Sequence, residues 1–389
     1  MKALYINGKL DLAVVEKPMP EPAAGEVRVK ISHFGICGSD LHYYYEGANG
    51  AFVVKEPLMP GHELSGTVDL DPSGKFAPGT PVTIHPATFG NSEPGIEGAP
   101  HLWPGGAYLG SASTWPHTQG AAAEFVNFRL DQIRVLPSNL PVRDAALAEP
   151  LAVALHAINV AGGVKGKKVF VSGSGPIGLM VVAAAKILGA TEVAASDVIE
   201  GPLSRAKALG ATSTIKIGAD ALAENHFDIV FECSGNARAI SGALIAVRRA
   251  GIVVQVGMLA AGNHEIAVAP LVSKEVQLRG TFRFKDEIDQ AVVMLAENPV
   301  IATAITHTRL GLDTASRPQQ PARQCGVAMA SCVDPTRHLA AFGQLPRAPA
   351  RRRHHGADFR HTGRQLALAR PWLFATRTRA VFGRGLCHA

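Results

Sequence analysis

Four side chains in the first 150 residues are of the types that hold a catalytic metal. They are Cys37 in GICGSDLH, His62 and Glu63 in PGHELSG, and Glu149 in AEPLAVALH. Singly, each has a plainer reading. Cys37 fits a small buried hydrophobe, His62-Glu63 a turn pair, and Glu149 the first turn of a helix beside Pro150. Together, a thiolate, an imidazole and one or two carboxylates form the mixed soft and borderline set that suits a catalytic zinc with one position open. Zinc there would lower the pKa of an alcohol as it lowers that of water, readying the alcohol to lose hydride.

A hydride needs an acceptor. Gly173-Ser174-Gly175-Pro176-Ile177-Gly178 follows the apolar run KKVFVS and opens a helical pattern, the context in which GxGxxG holds a dinucleotide. The first glycine makes the tight turn, the second admits the pyrophosphate, and the third lets helix and strand pack closely. The helix N-terminus offers free N–H groups and a positive dipole end to the phosphates. Asp197 ends the next apolar run, 24 residues after Gly173, where a carboxylate binds the ribose hydroxyls and repels a 2′-phosphate. NAD is therefore expected, with NADP as the alternative.

Two kinds of scaffold must position these groups. Up to about residue 150 the chain shows short β-type runs broken by Gly and Pro: EVRVKIS at 26–32, ELSGTVDL at 63–70, TPVTIH at 80–85 and AAEFVNF at 122–128. That spacing suggests a β-rich, barrel-like unit. Beyond it, KKVFVSG (167–173), EVAASD (192–197), STIKI (213–217), FDIVFECSG (227–235) and GIVVQVG (251–257) are strand-like, with helical patterns at 176–190 and 203–211. Alternation of nearly continuous apolar strands with helices indicates an α/β unit with a doubly wound parallel sheet. VQLRGTFRF and the amphipathic DEIDQAVVMLAENP after 276 suggest a return to the first unit.

The motifs GxCGSDxH, GHE, EPLAVALHA and GxGPxG, in this order, resemble those of the zinc-containing medium-chain alcohol and polyol dehydrogenases. The likeness runs over about residues 1–308. Its finer features, GICGSDLHYYYEG, AEPLAVALHA and LRGTFRF, are most like the L-idonate 5-dehydrogenases, with sorbitol and xylitol dehydrogenases as near relatives. The resemblance implies a GroES-like catalytic zinc domain over 1–151, a Rossmann NAD-binding domain over 152–275, and a return to the catalytic domain over 276–308. It implies zinc ligation by Cys37, His62 and Glu63, with Glu149 as a ligand or water-mediated partner. It also implies a proton relay through Ser39 and His42, and a substrate pocket lined by Tyr43 and Arg283. Arg283 suits a sugar-acid carboxylate. The expected reaction is oxidation of a secondary alcohol of a sugar acid or polyol, with L-idonate to 5-keto-D-gluconate as the specific form.

Two departures from the family pattern matter. Many relatives hold a structural zinc on four closely spaced cysteines, but HPATFGNSEPGIEGAPHLWPGGAYLGSA contains none. One zinc per chain is therefore expected, with this loop held by packing of Trp103 and Tyr108 or left mobile. Relatives also often carry an Arg shortly after the ribose acid, where this chain has Gly201-Pro202.

Bulk properties bound the rest. The net charge of +6 is uneven: residues 311–389 hold 13 Arg and 3 Asp, leaving 25 basic against 29 acidic side chains before them. A nucleic-acid-binding protein would need its positive charge on the folded body, which is net negative. A zinc-free quinone-reductase-like relative would lack the Cys37, His62-Glu63 and Glu149 set. The apolar run LMVVAAA at 179–185 falls far short of the ~20 residues that span a membrane. Only Cys37 and Cys233 precede residue 311, too few for a disulfide framework, so a reducing cytoplasm is expected. A homo-oligomer is expected, since dimers and tetramers are usual among the relatives. Residues 309–389 lack Lys and Glu, are rich in Arg, Pro, Ala and His, and show no sustained period. They fit translation of a GC-rich gene in a shifted frame better than a basic interaction tail.

Overall fold

A computed structural model describes residues 1–260, 262–305 and 332–333. Its first half is built on an antiparallel sheet ordered Phe125–Arg129, Glu26–Gly35, Glu63–Leu70, Pro81–Ile84 and Ile133–Val135. Val27, Val29 and Ile31 alternate inward along the Glu26–Gly35 strand. They pack with Val68, Val82, Ile84 and Phe128 in one core cluster, as period-2 patterning requires. In the register of that sheet Gly35 lies opposite Glu63. The ends of two strands thus bring the Cys37 and His62 loops side by side.

The second half is a six-stranded sheet, all parallel, ordered Ser213–Lys216, Glu192–Asp197, Lys168–Ser172, Phe227–Glu232, Val247–Gln255 and Gln277–Gly280. Its inner strands are buried on both faces, while no residue of the two edge strands is buried. Val169, Val171, Val193, Ala195 and Phe231 face the helices Ala148–Val160 and Pro176–Ile187. Phe170, Ala194, Phe227 and Val230 face the helix Ala237–Ala246. Chain order reverses beside Lys168–Ser172, so the crevice at a switch point opens where the glycine turn begins.

The expected limits of the second unit need correction. The Gln277–Gly280 strand pairs parallel with Val247–Gln255, so the sheet runs past 275. Residues 277–280 form an edge strand of this sheet rather than the start of a return at 276. The expected boundary at 151 falls in the first turn of the continuous Ala148–Val160 helix. The return to the first unit begins after Gly280. His85 bonds the Lys285 carbonyl through Nε2 at 2.6 Å, and Arg134 pairs with Asp289 at 2.6 Å. Glu287, opening the Glu287–Glu297 helix, accepts from Asn159 at 3.0 Å and bonds His156 at 2.8 Å.

Most of the expected Arg-rich segment 309–389 lies outside the described residues. Within it, Cys332–Val333 pair antiparallel with Gly35 and Phe34, a strand the sequence reading does not assign. No helix among the described residues is long and apolar enough to cross a membrane.

Candidate active site

Cys37 stands at the N-cap of the Gly38–Glu46 helix, and His62 and Glu63 stand at the start of the Glu63–Leu70 strand. One donor atom from each lies within 4.8 Å of the other two, and they form the only such group among the described residues. Three features hold them there. Asp40, fully buried, accepts from the Cys37 N–H at 3.0 Å and from the Gly61 N–H at 3.4 Å, tying the two loops together. The Ala121 and Ala122 N–H groups donate to the Gly61 and Pro60 carbonyls at 2.9 and 3.0 Å, which pins the His62 loop from behind. A Cβ on Gly35 would stand 2.1 Å from Glu63 Oε2, so the carboxylate occupies space that only glycine leaves.

The electrostatics are costly without a cation. Burial, then the charges of Asp40 and Glu149, push the Cys37 thiol up to about 11. Burial, then Cys37 and Glu149, push the Glu63 carboxyl well above the usual range. Burial opposes charge on His62, but Asp40, Glu149 and Glu63 outweigh it and raise its pKa. Its Nδ1 is buried without a hydrogen-bond partner. A partly buried thiol, two buried carboxyls and an unsatisfied imidazole nitrogen match the donor chemistry of zinc, whose charge would favour all the deprotonated forms.

Glu149, in the first turn of its helix, stands beside this trio rather than within it. It accepts a hydrogen bond from the Tyr108 hydroxyl. The ring of Tyr108 lies edge-on to His62 at 5.5 Å and under the Arg283 guanidinium at 4.3 Å. Arg283 adopts a left-handed backbone (φ 52°) that non-glycine residues seldom occupy, and it also covers Phe282 at 4.7 Å. Burial lowers its pKa, opposed by Tyr108, Tyr43 and Glu149. The hydroxyl and N–H of Ser39, next but one along the chain, lower the Cys37 pKa against its burial. His42, three residues along the same helix face, is exposed. Tyr43 is buried, and its hydroxyl accepts from the Ala112 N–H at 3.1 Å.

The cysteine-free loop is fixed by more than Trp103 and Tyr108. Trp103 donates to the Ile96 carbonyl at 2.9 Å within the loop. Ala87 and Thr88 pair with Tyr108 and Ala107. His101 meets His156 edge-on at 4.5 Å. Burial, then the His156 charge, lowers His101 to about 4.

At the crevice of the parallel sheet, Gly173 has φ +93° and Gly178 approaches so closely that its Cβ would stand 1.9 Å from the Gly173 carbonyl oxygen. Gly175 is the N-cap of the Pro176–Ile187 helix, with Pro176 in its first turn and no side chain capping its N–H groups. Nothing stands within 4 Å of a Cβ built on Gly175, and Ile177 is half-exposed on the first turn. Free donors beside open space fit a pyrophosphate. Asp197 ends its strand as expected, but its Oδ2 accepts from the Ser174 N–H at 3.0 Å.

The sequence reading missed Asp40, Gly35 and the Tyr108–Glu149 contact. Asp40 was the most accessible, since a carboxylate three residues after a helix cap is a capping pattern. Nothing in the sequence marks Gly35 as Glu63's neighbour, because only the sheet register makes it so.

Comparison with known proteins agrees with both halves. Residues 23–138 match the alcohol dehydrogenase GroES-like domain, and residues 176–297 match the zinc-binding dehydrogenase domain. The chain is 37% identical over 305 residues to an Escherichia coli L-idonate 5-dehydrogenase (NAD(P)(+)), covering 77% of this chain and 88% of that protein. A solved E. coli L-idonate 5-dehydrogenase superposes with a TM-score of 0.74 over 79% of this chain and 90% of its own. Bos taurus sorbitol dehydrogenase is 34% identical over 322 residues, covering 78% and 88% of the two chains. With both domains matched and the donor trio and glycine turn in place, this chain belongs to the zinc-binding alcohol dehydrogenase family, a GroES-like unit joined to a Rossmann-like sheet that works with zinc and a nicotinamide cofactor.

Proposed function

We propose that the chain oxidises a secondary alcohol of a sugar acid, L-idonate to 5-keto-D-gluconate, with a nicotinamide dinucleotide as hydride acceptor. A nicotinamide bound there would accept hydride from the carbon, while the hydroxyl proton would leave for solvent. Cys37, His62 and Glu63 would hold the zinc, which supplies Lewis acidity at the alcohol oxygen, with Glu149 beside them as partner. Gly173, Gly175, Pro176, Ile177 and Gly178 would cradle the pyrophosphate, and Asp197 would face the ribose. Ser39, two residues from Cys37, and exposed His42 would pass the proton outward, and Tyr43 would line the substrate pocket.

The observation that carries the sugar-acid reading is Arg283. Its guanidinium sits on Tyr108, next to Glu149 and the donor trio, in a backbone conformation that needs support from its surroundings. A cation held at that position suits a substrate carboxylate, which a planar fork binds bidentately. A polyol reading of the sorbitol or xylitol type has the 34% identical bovine enzyme in its favour, but gives this cation no substrate partner.

Steady-state assays with L-idonate, sorbitol and xylitol, followed by NADH absorbance, separate the two. Idonate should give the highest kcat/KM. Arg283→Gln should raise its KM by about tenfold or more, the scale of a lost charge-assisted bond, while sorbitol turnover holds. Preference for sorbitol together with an unchanged idonate KM in the variant would favour the polyol reading.

A further inference from the structure

Among the described residues, the Tyr108 hydroxyl is the one hydrogen-bond donor to the Glu149 carboxylate, which it meets at Oε1. Both side chains are buried, Glu149 in the first turn of the Ala148–Val160 helix and Tyr108 on the short Ala107–Tyr108 strand. That strand is set by pairing with Ala87–Thr88. Earlier in the same cysteine-free loop, His101 rests on His156 of the Glu149 helix. The fold, rather than Glu149, therefore fixes where the hydroxyl stands.

Glu149 is close enough for its charge to act on Cys37, His62 and Glu63 alike. It nonetheless stands outside the group whose donor atoms lie within 4.8 Å of one another. For zinc the difference is large. A site closed by four protein ligands has the character of a structural site, whereas three ligands and an open position make a catalytic one. A second carboxylate added to the trio would close this site. Glutamate is a flexible side chain, so whatever holds its carboxylate aside decides which kind of site forms.

Resting on the zinc reading above, we propose that Tyr108 is a positioning residue whose hydroxyl holds Glu149 outside the zinc's ligand set, leaving the fourth position open for the substrate alcohol. A donor fixed by the fold makes a charge-assisted bond to the carboxylate and so competes with the metal for it. The loop that lacks the cysteines thereby acts at the reaction centre. The tyrosine ring has separate contacts, edge-on with His62 at 5.5 Å and under the Arg283 guanidinium at 4.3 Å. Phenylalanine at 108 keeps those contacts and removes only the hydroxyl.

The test is zinc release from the full zinc-loaded chain into excess chelating dye, read by absorbance, alongside kcat. Tyr108→Phe should release zinc about tenfold more slowly, the scale on which one supporting group acts on a bound metal. Its kcat should fall by about tenfold or more as Lewis-acid assistance at the alcohol is lost, while KM for NAD holds. Loss of structure alone would instead speed release and lower turnover together. Adding Glu149→Ala to Tyr108→Phe should abolish the slow release, so that the two substitutions fail to add. Wild-type release or kcat in Tyr108→Phe, faster release, or slow release that survives Glu149→Ala overturns the assignment. Failure of the underlying zinc reading is separately visible, as a wild type that retains no zinc, and it removes this proposal as well.

Discussion

The two sites of this enzyme are assembled by opposite routes. The glycine turn and Asp197 come from one strand–helix–strand stretch, and they rest on a sheet whose interior is nearly free of charge, with Val169, Val171, Val193 and Ala195 completely buried. The donor trio draws on positions 37, 62 and 63, leans on Glu149 and Arg283, and sits beside buried Asp40 and Glu149. The first is secured by apolar packing that would exist without a ligand. The second confines like charges that favour protonation in the absence of a cation. Local packing thus builds the cofactor site, whereas the metal site depends on long-range register and on the ion it holds.

The sharpest way to break the comparison is to remove one donor. Cys37→Ser should lower bound zinc from about one equivalent to a small fraction and cut kcat/KM by about a thousandfold, since Lewis-acid assistance is worth several kcal/mol. 5′-AMP binding at the parallel sheet should survive. Elemental analysis and calorimetry read the two separately, and full zinc retention in this variant would remove Cys37 from the ligand set.

A matched pair of glycine substitutions probes the two kinds of assembly. Gly35→Ala places a methyl where Glu63 Oε2 lies, so zinc affinity should fall about 10–100-fold, the scale of lost ligand support. Dinucleotide affinity should be kept. Gly178→Ala drives a methyl into the Gly173 carbonyl. It should weaken NADH by about tenfold and cost roughly 1–3 kcal/mol of stability by overpacking, with zinc content unchanged. Effects that cross over would mean the sites are coupled through the seam.

The seam itself gives the smallest effect. Burial pushes Glu287 up, but hydrogen bonds from His156, Asn159 and the Lys285 N–H outweigh it and bring the carboxyl down to about 2. A depressed carboxyl stabilises the fold above its unfolded value and loses that contribution as pH falls from about 4.5 toward 2. Glu287→Gln should therefore lower Tm by about 2–6 °C at neutral pH. The gap to wild type should close as melting curves are taken at lower pH through that window. A gap that does not change with pH would mean that charge on Glu287 does not fasten the two halves.

Much of the parallel half was readable from residue order. EVAASD matches its strand residue for residue, and the glycine turn sits at the predicted helix start. The antiparallel strands were visible in ELSGTVDL and EVRVKIS, though the latter runs on to Gly35. The edge strand Gln277–Gly280 was misplaced because four residues with two exposed faces carry little apolar signal. Membership of the sheet came from pairing with Val247–Gln255.

By itself, then, the sequence determined the chemistry on offer: a thiol, an imidazole and carboxylates for zinc, a glycine turn for a dinucleotide, and the strand periods that carry them. Hydrophobic period and turn residues act over a few positions, so they can be read in order. Tertiary structure alone decided that Gly35 makes room for Glu63 and that Asp40 ties Cys37 to the His62 loop. It also decided that Arg283 lies over Tyr108. Each of these depends on strand register, loop closure or helix rotation. They bring together residues that share no local pattern, and a shift of one residue would undo them.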